Sequence, residues 1–143
     1  MRKQTSHQIA GTWEEWQAEK KKEAGDVLIS VIGIALRLDC EEYVESCFAN
    51  IKQHLVIDPK LYQGELTLKR VFRHAAIIMD AFDPDIDTSH NRVGMAIYNV
   101  CWYIGVYCLY NSFDIEDVLM SRWGTMSKRD FIANPLTGGR ENE

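Results

Sequence analysis

The sequence predicts an all-α domain, and three observations carry that expectation. Apolar residues recur at helical spacing, as in the stripe Leu66, Leu68, Val71, Phe72, Ala75, Ile78 and Met79. No segment alternates at period two long enough to argue for a sheet. Only three prolines occur in 143 residues, all in polar segments, which leaves room for long helices. About five helices fit the pattern, and the length suits one domain rather than two. A composition of 46% hydrophobic and 26% charged residues excludes a disordered or collagen-like chain.

Residues 1–11 read as a flexible tail, and a single helical domain is expected over 12–126. Thr12-Trp13-Glu14-Glu15 is a T-x-x-E capping box, so a helix starts near Trp13. Nothing breaks it before Leu38, and its second half, Val27 to Leu36, is apolar on all sides, which implies burial on all sides. Asp39-Cys40-Glu41-Glu42 reads as a second capping box, opening a helix to about His54. Asp58-Pro59-Lys60 to Gly64 reads as a linker, and Glu65 to Phe82 as the next helix. Asp83 to Asp87 is a polar loop before a long helix from about Asn91 to Tyr110. Asp114-Ile115-Glu116-Asp117 opens a short helix to about Trp123, and 127–143 reads as a C-terminal tail. A weak internal repeat relates 20–54 to 92–126: each holds a long buried helix followed by a capped short one, as in a fused dimer.

Sixteen basic against 21 acidic side chains give a net charge of -5, so no broad nucleic-acid surface is expected. Cys40, Cys47, Cys101 and Cys108 form no C-x-x-C pair and read as small buried hydrophobes of a reducing compartment. No apolar stretch follows Arg2 and Lys3, as a signal peptide would require, so the expected location is cytoplasmic. Val93 to Phe113 lacks charge and is long enough to span a bilayer. Asn99, Asn111, Ser112 and its tyrosines favour a helix buried inside a bundle, with no membrane partner.

The chemistry concentrates between Glu15 and Asp26. Glu15, Glu19, Glu23 and Asp26 lie at i, i+4, i+8 and i+11. On one helix they make an acidic stripe about 16 Å long. Like charges at i, i+4 repel, so the stripe needs relief. Flanking ion pairs from Lys20, Lys21 and Lys22 would supply it on a solvated face. Mg²⁺, which takes carboxylate oxygens, would supply it at a metal site. Glu23 and Asp26 stand where the charged half of the helix meets the apolar half, where partial desolvation favours a cation partner. Trp13 and Trp16 are candidates for base stacking or for packing. Asp83, Asp85 and Asp87 suggest a calcium loop, but Thr88 and Gly94 occupy the sixth and twelfth positions, where an EF-hand has Gly and Glu.

Lys22-Glu23-Ala24-Gly25-Asp26-Val27-Leu28-Ile29, followed by Ala35-Leu36-Arg37-Leu38-Asp39 and an amphipathic helix ending near Asn50-Ile51-Lys52, resembles the MazG-like all-α nucleoside triphosphate pyrophosphohydrolases. Asn99-Val100-Cys101-Trp102-Tyr103-Ile104 and Lys128-Arg129-Asp130-Phe131 are similar to later parts of such chains. The resemblance covers 20–53 closely and 92–135 loosely. It implies that Glu23 and Asp26 are the catalytic E-x-x-D, with Glu15 and Glu19 as further Mg²⁺ ligands. Asn50, Lys52 and Trp16 would then contact the nucleoside triphosphate. The implied reaction is hydrolysis of a nucleoside triphosphate to monophosphate and pyrophosphate by a Mg²⁺-activated water, a house-cleaning activity. Departures are plain. No E-E-x-x-E helix precedes Glu23, and Ala96 and Asn99 stand where a second E-x-x-D would fall. The expectation is therefore a homodimer, or a higher homo-oligomer, that completes the site between subunits. The alternative is a catalytically inactive MazG-like fold serving as a nucleotide-binding or protein-interaction module.

Overall fold

The computed structural model describes residues 11–53 and 64–128. Five helices make up the described fold: α1 Trp13–Arg37, α2 Glu41–Gln53, α3 Gly64–Asp80, α4 His90–Tyr110 and α5 Ile115–Met126. No strand occurs among the described residues, and the expected all-α class is what the chain adopts. The expected linker from Asp58, and most of both expected tails, lie outside the described residues.

α1 starts as its sequence dictates. Thr12 is extended, its side chain accepts from the Glu15 amide at 3.2 Å, and the Glu15 carboxylate accepts from the Thr12 amide at 3.4 Å. The exit from α1 differs from expectation. Asp39 is not an N-cap: it takes φ 54°, in the left-handed region, whereas an N-cap is extended. The Cys40 amide then reaches back to the Ala35 carbonyl at 2.8 Å, and the Asp39 amide points to that of Leu36 at 3.5 Å. This is a Schellman closure, in which the D-x-x-E pattern serves the end of one helix rather than the start of the next. The same closure ends α4. Ser112 takes φ 59°, Phe113 bonds to the Cys108 carbonyl at 2.8 Å and Ser112 to that of Leu109 at 3.0 Å. The two left-handed residues are 73 positions apart, and a short helix follows each.

The short helices pack crosswise. α5 lies along α1, joined by Lys21–Asp117 and Asp26–Arg122, both pairs separated by 96 residues, so the two helices run parallel. α2 lies along α4, joined by Tyr43–Asn91 and Asn50–Tyr98, both separated by 48 residues, so these also run parallel. Close approaches at glycine serve this packing. A Cβ at Gly25 would overlap Arg122 Cγ, and a Cβ at Gly94 would overlap the Tyr43 ring.

α4 is the central element. It carries buried positions from Val93 to Cys108 and contacts each of the other four helices, which is why it is apolar all round. By length and composition it is one helix able to cross a membrane, yet more than half of its apolar window is buried by the rest of the chain. Leu28, Ala35, Cys47, Ile97, Val100, Cys101 and Val118 are among the best-buried residues of the core. Each fully buried large aliphatic side chain there contributes about 1.5–3 kcal/mol. α3 packs on α4 through Ile78 and through His74, which stacks on Tyr103 with ring centroids 6.0 Å apart.

Candidate functional site

Glu23 and Asp26 fall on the stretch of α1 that passes α5 and the C-terminal half of α4. Ala24 and Gly25 face inward, Glu23 is exposed and Asp26 is half-buried. The two carboxylates therefore share one accessible edge, as their i, i+3 spacing requires. Asp26 is held by a residue with no place in the expectation. Arg122 Nε donates to Asp26 Oδ1 at 2.7 Å, with the Arg122 side chain 9% exposed and that of Asp26 43%. Arg122 is the buried charged residue among the described ones, and its stem passes over Gly25. A guanidinium so placed needs an anion beside it, because an unpaired buried charge is costly. Glu23 adds negative charge near Tyr107, whose phenol is pushed up mainly by burial and then by that carboxylate.

The remaining expected site residues are spread over the surface. Glu15 belongs to the α1 capping box. Glu19 is exposed one turn before Glu23. Among the described residues, no group of three or more His, Cys, Asp or Glu side chains could hold a metal ion. The reason is geometric. Carboxylates in a row on one straight helix diverge along about 16 Å and cannot converge on a single cation without a second helix facing them. The residues present thus do not fit a Mg²⁺ site by themselves.

Asn50 and Lys52 are turned to intramolecular work. The Asn50 amide donates to the Tyr98 hydroxyl at 2.7 Å, and Tyr98 stacks beside Trp102. Lys52 pairs with Glu116 at the start of α5, and that hydrogen bond raises the ammonium above its ordinary pKa. Trp16 is half-buried near the start of α1, while Trp13 is exposed. The Asp83 loop makes a local turn, the Asp85 amide donating to Asp83 Oδ1 at 2.9 Å.

A second polar constellation joins the end of α1 to the start of α4. Cys40 Sγ lies 3.8 Å from His90 Nδ1, and His90 Nε2 lies 3.8 Å from the Glu42 carboxylate. It resembles a thiol–imidazole–carboxylate set, but its electrostatics oppose activation. Burial, then Glu42, Glu41 and Asp39, raise the thiol pKa, which disfavours the nucleophilic thiolate.

An alignment of the two helical units at the 73-residue offset of their turns explains the asymmetry of charge. Ala96, Tyr98 and Asn99 then stand where α1 has Glu23, Gly25 and Asp26. With the short helices aligned on their first residues, half-buried Phe48 stands where α5 has Arg122. One unit carries the anions and the other the guanidinium, so the pair forms between the units, and Asn99 and Phe48 leave the matching junction without it. No protein-family model matches the chain, and neither a curated protein nor a solved structure matches it.

Proposed function

We propose that the chain is a MazG-like helical module without hydrolytic turnover of its own, serving in nucleotide binding or protein interaction. The observation that carries this reading is the Asp26–Arg122 pair. The carboxylate that would hold Mg²⁺ is already neutralised by a guanidinium buried in the same fold. Lys52, the expected phosphate ligand, is likewise paired, with Glu116. The motif from Lys22 to Ile29 supports the MazG-like part of the reading.

A second reading, the Mg²⁺-dependent nucleoside triphosphate pyrophosphohydrolase, is favoured by one feature: Glu23 and Asp26 sit side by side on an accessible edge. It requires carboxylates from a second copy. Pyrophosphate release from a panel of canonical and modified deoxynucleoside triphosphates with Mg²⁺ separates the two. The module reading expects no release above the blank, unchanged in Glu23→Gln and Asp26→Asn. Turnover in the wild type that both substitutions abolish would establish the enzyme instead.

A further inference from the structure

We propose that α3 is a homodimerisation helix, pairing antiparallel with α3 of a second copy across a twofold axis. The proposal is independent of the nucleotide readings above. α4 is largely covered within the chain, whereas the second half of α1, expected to be buried on all sides, leaves Val27 and Leu36 exposed. Exposed large apolar side chains are spread over α1, α4 and α5 as well, but α3 carries three of them along one face. Val71, Ile77 and Ile78 turn toward the body of the fold. Leu68 is 53% exposed, Phe72 69% and Met79 65%, and Phe82, just past the helix, is 48% exposed.

Leu68, Phe72 and Met79 lie at i, i+4 and i+11, one stripe on the helical surface, with Ala75 and Ala76 between the halves and Phe82 just beyond the helix end. The stripe reads nearly alike in both directions. Phe72 and Met79 are equidistant from the alanine pair, and so are Leu68 and Phe82 to within a residue. Two copies laid antiparallel therefore set Phe72 of one against Met79 of the other. The alanines meet at the crossing, where small side chains let the axes approach. A twofold interface requires such self-complementarity.

Charge points to the same occupant. Exposed Arg73 flanks the stripe on its N-terminal half, and Asp80, seven residues on, flanks its C-terminal end on the same side. In the antiparallel pair this flank of one helix faces the same flank of the other, so Arg73 of each copy meets Asp80 of its mate. A uniformly acidic or basic partner would satisfy one end and repel the other. The reversed copy satisfies both.

One face of a helix about 25 Å long is a small contact. The dimer is accordingly expected to be micromolar, populated at roughly 100 µM and dissociating on dilution, as for interfaces below standard size. Sedimentation equilibrium of the full chain tests this. Phe72→Glu, and independently Met79→Glu, should weaken association by about 100-fold, the loss of a buried anchor. Both positions face solvent in the single chain, and unchanged far-ultraviolet circular dichroism checks the fold. Arg73→Asp should weaken association about tenfold, and adding Asp80→Arg should restore it, as expected for a close charge pair. Met120→Glu, at an exposed apolar position on α5, should change nothing. A wild type that stays monomeric, or a dimer that neither Phe72→Glu nor Met79→Glu weakens, overturns the proposal. A charge swap that fails to restore association overturns the antiparallel arrangement.

Discussion

Arg122 and Asp26 meet across 96 residues of sequence through a 2.7 Å hydrogen bond, the guanidinium buried and the carboxylate half in solvent. The pair ties α5 to α1, so its removal is expected to weaken the fold and not only the local surface. Asp26→Ala leaves the buried cation without this acceptor. The cost should be about 2 kcal/mol, below the usual range for breaking a buried pair, because Asp26 stays partly hydrated. Arg122→Met keeps the stem and removes the charge, so it should cost less. Urea denaturation midpoints decide. An Asp26→Ala protein as stable as wild type would mean that Arg122 is satisfied elsewhere.

Gly25 is where the stem of Arg122 crosses α1, and Gly33, two turns later on the same helix, has nothing within 4 Å of an added Cβ. The two glycines should therefore answer to alanine with opposite signs. Gly33→Ala should stabilise by about 0.5–1 kcal/mol through helix propensity alone. Gly25→Ala places a methyl into Arg122 Cγ, and 3.1 Å from Arg122 Cβ and the Val118 carbonyl, and should destabilise by about 1–3 kcal/mol. Combining Gly25→Ala with Arg122→Ala should recover part of that loss in a double-mutant cycle. Additivity would show that the two do not touch.

How far the sequence revealed these relationships depended on whether the signal was local. The Thr12–Glu15 box is contained within four residues and forms as read. Asp39-x-x-Glu42 has the same spelling, but the preceding helix decides its geometry, and the Schellman closure needs a left-handed residue there. The α3 stripe was legible as apolar, but not by which edge faces inward. Val71 and Ile78 touch the core while Phe72 and Met79 do not, since periodicity fixes a face only when its partner is known. Arg122 gave no local sign of burial in a short polar helix. The one available hint was Gly25, a helix-weakening residue in an otherwise strong helix, which marks a close approach without naming what approaches.

Asp39 and Ser112 occupy the left-handed positions of the two matching closures. Glycine populates that region without the Cβ penalty, whereas serine lacks even the partial tolerance of Asp. Ser112→Gly should raise stability by about 0.5–1 kcal/mol, a rise of roughly 2–4 °C in midpoint for a domain of this size. Asp39→Gly should gain less. Valine at either position should lower the midpoint. Differential scanning calorimetry of the four single variants checks the order, and equal loss on Gly and Val substitution would refute the closure geometry.

The buried thiols make the protein sensitive to alkali. Burial raises Cys101 and Cys108 from an ordinary 9.0 to about 12 each, and raises Cys47 as well, burial first and the nearby Cys101 second. In the unfolded chain the same thiols ionise near 9. Below pH 9 both states are neutral at these groups and the full stability is present. Above it the unfolded state releases protons that the folded state keeps, so stability falls as pH rises through the window from about 9 to about 12. The slope approaches 1.4 kcal/mol per pH unit for each thiol involved. Denaturation midpoints between pH 8 and 11 should therefore decline, and a Cys101→Ser/Cys108→Ser variant should decline less steeply from a lower start. At pH 8 the same burial predicts that a disulfide reagent such as Ellman's labels these cysteines only as fast as the fold opens. Rapid stoichiometric labelling of Cys101 and Cys108 in native protein would show that the interface between α4 and its neighbours is not closed.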